Sequence, residues 1–187
     1  MKTINRFDDY FIYIFNDKLK SKTLDKFMYN ITDVGGAIGT SIVAIIIFLV
    51  GLKLKNGYEF IGLEVLLSLG ITQIIVQILK RTVKRTRPYD ARDRINTFDI
   101  KLPDYSFPSG HTTASFTLAT VLSLNNSLWI IPSYIYAGII GISRVYLGVH
   151  YPSDVLFGMV FGITSSIIIH YYIFEKVLFF IKSFILI

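Results

Sequence analysis

Four long stretches of this chain carry almost no charge. Val34 to Leu52 has none, and Phe60 to Leu79 has only Glu64. Between Tyr105 and Ser143 the only ionisable side chain besides tyrosine is His111, and Val155 to Phe174 holds only His170. A hydrocarbon core about 30 Å thick takes about 20 helical residues to cross. The first, second and last stretches each fit one crossing. The middle one fits two, broken near Asn125-Asn126-Ser127. The expectation is an all-α integral-membrane helical bundle with about five core spans, near 35–54, 60–80, 110–124, 128–147 and 153–174. The third is short and begins at the interface. With 52% hydrophobic and 17% charged residues in 187, against roughly 25% charged in average soluble domains, the chain reads as one membrane domain over 1–187. Its parts are an N-terminal segment 1–33, a core 34–174 and a tail 175–187.

The N-terminus does not read as a cleavable signal peptide, because Asp8 and Asp9 stand where a basic region belongs and no continuous apolar run follows. Instead Ile4, Phe7, Phe11, Ile14 and Phe15, then Leu24, Phe27, Met28 and Ile31, recur at helical spacing. Amphipathic helices on the membrane surface satisfy that pattern, and so do helices packed on the bundle; a sixth span would be the third way to use it. No cysteine is present, which excludes disulfides and thiolate chemistry.

The net charge of +6 is unevenly distributed. Lys80, Arg81, Lys84, Arg85, Arg87, Arg92, Arg94 and Lys101 crowd one loop, offset by Asp90, Asp93 and Asp99. A cytoplasmic anchor, a nucleic-acid surface and an anion site are the three readings. The loop has no nucleic-acid fold beside it, so no nucleic-acid partner is expected. Lys80 and Arg87 are seven apart and share a face if the second helix runs on to Arg87-Pro88. Charge at mid-bilayer costs about 2.5–3.5 kcal/mol per residue, so these cations belong at an interface.

Two further clusters abut spans. Ser106-Phe107-Pro108-Ser109-Gly110-His111 precedes the third, where Ser109 suits a helix cap and Gly110 admits a close ligand. The free N–H groups of a helix start form an anion site, although Pro-Ser-Gly is also an ordinary helix-start turn. The last cluster runs from Ser143-Arg144 through His150 to Pro152 and Asp154, between the fourth and fifth spans. Asp154 suits the first helical turn for its charge alone; a carboxylate four residues beyond a histidine also suits orienting that imidazole. Span order places all three clusters on one side of the membrane, and ionisable groups there read as functional by default.

Lys80 with Arg87-Pro88, Pro108-Ser109-Gly110-His111, and Ser143-Arg144 with His150 and Asp154 together resemble the three motifs of the type 2 phosphatidic acid phosphatase (PAP2) superfamily, in order and at matching spacing. The resemblance implies a lipid phosphatase that needs no metal or other cofactor. It implies His150 as nucleophile forming a phosphohistidine, Asp154 orienting it, and His111 as general acid. Lys80, Arg87, Arg144, Ser109 and Gly110 would hold the phosphate, with Ser143 behind them, and Pro88 and Pro108 would be structural. The implied partners are a lipid phosphate and membrane lipids. Undecaprenyl pyrophosphate is the leading substrate, with phosphatidylglycerol phosphate, phosphatidic acid and lipid A phosphates as alternatives. The related haloperoxidases are soluble, which five spans oppose. A transporter would place its polar groups at mid-membrane, and an inactive lipid-binding member would have lost His111, His150 or Asp154.

Orientation is contested within the sequence. Positive-inside counting puts loop 80–101 in the cytoplasm, because the opposite face offers only Lys53, Lys55, Lys176 and Lys182 against Glu175. The family resemblance implies an extracytoplasmic site, and substrate-binding cations distort the count, so that side is expected. Arg81, Lys84, Arg85, Arg92 and Arg94 read as solvated charge or as headgroup ligands. Glu64, Gln73 and Gln77 read as packing or interhelical hydrogen bonds, with a place in the substrate entry as the alternative, and His170 as an interface or helix contact.

Overall fold

The computed structural model describes residues 2–92 and 95–185. Asp93, Arg94 and the side chain of Lys182, three of the charges read above, lie outside the described residues. The described residues form nine α-helices and no strand: α1 (Lys2–Ile12), α2 (Lys22–Val34), α3 (Ala37–Leu54), α4 (Tyr58–Val83), α5 (Pro88–Ala91), α6 (Gly110–Asn125), α7 (Ile130–Tyr146), α8 (Pro152–Ile168) and α9 (Glu175–Ile185). A π-turn, Tyr13–Lys18, follows α1, and another, Ile169–Phe174, joins α8 to α9. The chain stays helical beyond residue 174 into the C-terminal segment.

Four stretches are long and apolar enough to cross a membrane: Ala37–Leu54, Tyr58–Ala91, Ser127–Tyr146 and Pro152–Phe180. The expected third span is not among them. At 16 residues, α6 is about 24 Å long, short of the hydrocarbon thickness. It is the buried centre of the bundle, packed against α4, α7 and α8. Every residue from Thr112 to Val121 is buried. A helix surrounded by protein need not be apolar all round, so Thr and Ser are accepted where their hydroxyls bond backbone. Thr113 and Thr120 donate to Ser109 and Phe116 carbonyls at 3.0 and 2.7 Å, and Ser115 donates to Gly35 O at 3.0 Å.

Glycines bring α8 against α6. A Cβ at Gly162 would stand 2.8 Å from Thr113 O, and one at Gly158 2.9 Å from Ser109 O. Any side chain there would push α8, and with it the segment around His150 and Asp154, away from α6.

The N-terminal segment packs on the bundle while keeping an apolar outer face. Asp8, Ile12 and Asn16, at four-residue spacing, are buried toward α7 and α8, whereas Ile4, Phe7 and Tyr10 are exposed. Asn16 fastens the turn: its amide donates to Tyr146 O at 2.7 Å and Asn96 O at 2.8 Å, and its carbonyl accepts from Asn96 N at 2.9 Å. Met28 and Thr32 of α2 are buried in turn, with Met28 against Tyr146 and Val149.

The second span does not carry Arg87 on its helical face. It stops at Val83, where Lys84 adopts a left-handed conformation (φ 50°), and Arg87 is the extended residue before α5. Lys80 and Arg87 meet because the chain turns back, not because they are seven apart on one helix.

Candidate active site

Three cations, two imidazoles and one helix start converge at one end of the bundle. Lys80, Arg87, Arg144, His111, His150 and Gly110 line a single cavity of about 180 Å³, together with Gln73, Gln77, Asp104 and the apolar Ala37 and Leu102. Lys80 comes from the last turn of α4, Arg87 from the turn before α5, His111 from the first turn of α6, and Arg144 from the last turn of α7. His150 sits on the α7–α8 connection, which Gly148 turns at φ 66°, a conformation glycine adopts at no steric cost.

Arg87 is almost fully buried and used at every nitrogen. Nη1 donates to Val149 O at 2.6 Å and lies 3.4 Å from His150 Nε2; Nε donates to Asp104 O at 2.8 Å; Nη2 donates to Asp104 Oδ1 at 2.5 Å. The fork therefore fixes one side of the cavity and brings a positive charge against the Nε2 edge of His150. Arg144, 2% exposed, donates through Nη1 to Thr32 Oγ1 at 2.6 Å, while its buried Nε has no hydrogen-bond partner among the described residues. A buried, unpaired guanidinium donor is costly, and an anion in the cavity would relieve it.

An anion from the chain itself partly fills that role. Asp104 reaches both cations, Oδ2 to Lys80 Nζ and Oδ1 to Arg87 Nη2, each at 2.5 Å. Burial opposes its ionisation, but hydrogen bonds and charge from Lys80 and Arg87 outweigh burial and hold the carboxyl at about 2, below its usual range. Sequence reasoning missed Asp104. The one available signal was a carboxylate two residues before Ser106, close in sequence to a cluster already suspected of binding an anion.

His150 is 1% exposed. Burial first, then the charges of Arg87, Arg144 and Lys80, push its pKa well below the ordinary imidazole value, so it is neutral at neutral pH. Nε2 faces Arg87, and Nδ1 faces away, buried and without a sound hydrogen bond among the described residues, 3.7 Å from Asp154 Oδ2.

Asp154 and Ser109 do not line the cavity. Asp154 is fully buried behind His150 in the first turn of α8, where Oδ2 accepts from Tyr151 N at 2.9 Å and from the Ser106 hydroxyl. Ser109 caps α6: its Oγ accepts from Thr112 N at 3.5 Å and pairs with Thr112 Oγ1 at 2.9 Å, while its own N–H donates to Asp154 O at 3.2 Å. Ser143 supports Arg144 through their shared partner Thr32, to which it donates at 3.0 Å.

His111 is the hinge between the cavity and the outside. It also borders a pocket of about 280 Å³ with Tyr29, Thr32 and Asp33, and a largely apolar groove of about 560 Å³ along α3, lined by Val34, Ile38, Ile42 and Val43. The outer surface of α3 is studded with exposed Ile38, Ile42, Ile45 and Ile46, so the groove lies on the membrane-facing side.

The remaining polar residues fall elsewhere. Glu64 and His170 pair at 2.7 Å toward the opposite end of α4 from Lys80. Among the loop cations, Arg92 pairs with Asp9, and Arg85 pairs with Asp8 and Asp154.

Solved structures share this fold. The crystal structure of a transmembrane PAP2-type phosphatidylglycerolphosphate phosphatase from Bacillus subtilis superposes with a TM-score of 0.78, covering 91% of this chain and 86% of that one at 24% identity. Aquifex aeolicus LpxE superposes with a TM-score of 0.76 at 29% identity, over 86% of this chain and 93% of that one. An undecaprenyl-diphosphatase of Sulfolobus acidocaldarius is 34% identical over 103 residues, 54% of this chain and 50% of the relative. The chain spans about half the length of the curated relatives it matches. Residues 61–178, which carry every cavity-lining cation and imidazole described above, match the family described as the PAP2 superfamily, and the chain belongs to that superfamily.

Proposed function

We propose that this protein is a membrane-embedded lipid phosphatase working through a phosphohistidine, with no metal required. The observation that carries the proposal is one cavity in which Lys80, Arg87 and Arg144 surround His150 Nε2 and His111 borders both that cavity and an apolar groove. Phosphoryl transfer is chiefly positioning and neutralisation of oxygen charge, and three cations beside a helix start supply both. Asp104 marks where two phosphate oxygens would sit, between Lys80 and Arg87.

In the first step neutral His150 Nε2 bonds to phosphorus as the phosphorus–oxygen bond to the lipid breaks, and His111 gives its proton to the departing oxygen. Asp154, on the Nδ1 side, stabilises the positive imidazole that results. Water then attacks the phosphohistidine, loses its proton to His111, and phosphate leaves with His150 restored. Gly110 contributes its backbone at the start of α6, and Ser109 holds that start in place. The groove along α3 would take the lipid tail, which puts the scissile bond beside His111.

Among substrates, undecaprenyl pyrophosphate ranks first, supported by the diphosphatase relative and by a groove that suits an apolar chain; phosphatidylglycerol phosphate, phosphatidic acid and lipid A phosphates follow. The site is proposed to face the extracytoplasmic side. Labelling of Lys101→Cys by an impermeant maleimide in intact cells tests this, and protection there would reverse the orientation.

The decisive experiment is phosphate release from these lipid phosphates by purified protein beside its His150→Ala variant. Release should be absent in the variant, persist in EDTA and stop with vanadate. Equal release by both proteins, or activity lost on chelation and restored by Mg²⁺, would overturn the mechanism.

A further inference from the structure

The mechanism above gives no role to Arg85 or to the N-terminal helix, yet the structure ties both to the catalytic carboxylate. Arg85 lies outside the cation cavity. Its Nη1 donates to Asp154 Oδ1 at 2.5 Å and to Ser153 Oγ at 2.8 Å, and its Nη2 donates to Asp8 Oδ2 at 2.6 Å. Its guanidinium also stacks over the Tyr151 ring, 3.9 Å from the centroid. Asp8, from α1, is fully buried and accepts from Ser153 N at 2.9 Å and Ser153 Oγ at 2.8 Å. Two fully buried carboxylates from opposite ends of the sequence are thus held by one guanidinium.

That arrangement has an energetic and a geometric consequence. Two buried carboxylates near one another repel and are poorly solvated, and the shared guanidinium offsets part of that cost. Geometrically, a carboxylate bonded at one oxygen by a rigid fork can no longer rotate freely. Because Arg85 holds Oδ1, Oδ2 is the oxygen turned toward His150 Nδ1. Asp8 and the Tyr151 ring hold the fork, and Ser153 joins Asp8 to the first turn of α8. The amphipathic helix whose outer face carries Ile4, Phe7 and Tyr10 is therefore anchored, through Asp8, three contacts from the reacting imidazole.

We infer that Arg85 and Asp8 are positioning residues for Asp154, and that α1 is a working support of the active site rather than only a membrane anchor. The inference rests on the phosphatase reading. Replacing a group that orients a reactive ligand from behind commonly costs about 10–100-fold in activity, and the loss should fall on turnover because neither residue touches substrate.

The test is steady-state kinetics of the purified full-length chain in detergent micelles containing the best lipid phosphate. Arg85→Ala should lower kcat about 10–100-fold with KM unchanged, and added guanidinium should restore part of it. The same addition should do nothing for Asp154→Ala. Asp8→Asn should lower kcat by a smaller factor, again at constant KM. Arg85→Lys, which keeps the charge but loses the fork, should melt like the wild type and fall between them, and it decides the matter if Arg85→Ala does not fold. Full kcat in folded Arg85→Lys and Asp8→Asn would overturn the inference. So would a raised KM at normal kcat, which would make Arg85 a headgroup ligand, or a loss that guanidinium does not rescue. Wild-type protein that releases no phosphate from any substrate would overturn the phosphatase reading itself and this inference with it.

Discussion

His150 Nδ1 and Asp154 Oδ2 face each other across 3.7 Å, both buried, with no hydrogen bond between them. Asp154 is engaged meanwhile by Arg85, the Ser106 hydroxyl and Tyr151 N. In the proposed reaction neutral His150 has little claim on that carboxylate, whereas the cation that would form on attack at phosphorus has a strong one. The contact is therefore one that tightens as charge develops, which is the kind that accelerates a reaction. Asp154→Asn, which keeps size and most of the cap, should lower kcat by about 10²–10⁴-fold. Steady-state assays check this, and a rise in KM alone would contradict it.

His111 lies where the cavity meets the groove, on the side assigned to the leaving group. General-acid help is worth about 10²–10⁴-fold for a poor leaving group and little for one that departs unaided. His111→Ala should therefore lose far more activity on a lipid monophosphate than on p-nitrophenyl phosphate. Equal losses on the two substrates would remove His111 from that role.

Asp104 stays ionised down to about 2, so in the proposed site a carboxylate would compete with phosphate for Lys80 and Arg87. The pair is partly exposed, with Asp104 39% accessible, and such pairs are worth about 0.5–1 kcal/mol. Asp104→Asn should lower the inhibition constants of inorganic phosphate and vanadate by about two- to fivefold. Weaker inhibition in the variant would mean that Asp104 arranges the cations instead of competing for them.

How much of this was legible in the sequence depends on distance along the chain. The apolar stretches located α3, α4, α7 and α8 because a bilayer imposes length and composition locally. Lys80, Arg87, His111, Arg144 and His150 were legible because each motif sits at the end of a span, and span order alone puts those ends together. What did not show was anything decided by tertiary contact. That α6 is the buried centre of the bundle follows from its neighbours, and Ser and Thr with internal partners look the same in any setting. The pairs Arg85–Asp8 and Arg85–Asp154 join residues 77 and 69 positions apart. Nothing local distinguishes Arg85 from the solvated cations around it, or Asp8 from Asp9.

The pH dependence follows from the site's charge. Protonated imidazole cannot attack, and in the empty site burial and the charges of Arg87, Arg144 and Lys80 lower the His150 pKa well below 6.5. As pH falls through 6.5 the nucleophile therefore stays neutral, and kcat/KM should not decline with the midpoint of an ordinary histidine. Removing one of the cations relieves part of the downward push, so Lys80→Met should move any acid-side midpoint of kcat/KM upward, toward 6.5. The pH profiles of wild type and variant check the direction. A midpoint that moves downward would show that His150 is not the group being read.

At the other end of the bundle, Glu64 is 1% exposed and bound by His170 Nδ1 at 2.7 Å and Asn125 Nδ2 at 2.9 Å. These contacts join α4 to the π-turn after α8 and to the end of α6. Hydrogen bonds between membrane helices contribute about 1–2 kcal/mol in favourable cases, and removing one partner of a buried pair leaves the others unsatisfied. Glu64→Ala should therefore lower the melting temperature by roughly 3–6 °C for a chain of this size, and Glu64→Gln, which keeps an acceptor, by less. Because Glu64 lies about 24 Å along α4 from Lys80, the protein that remains folded should keep its kcat. A Glu64→Ala variant that melts normally but turns over slowly would instead connect this polar cluster to the chemistry at the far end.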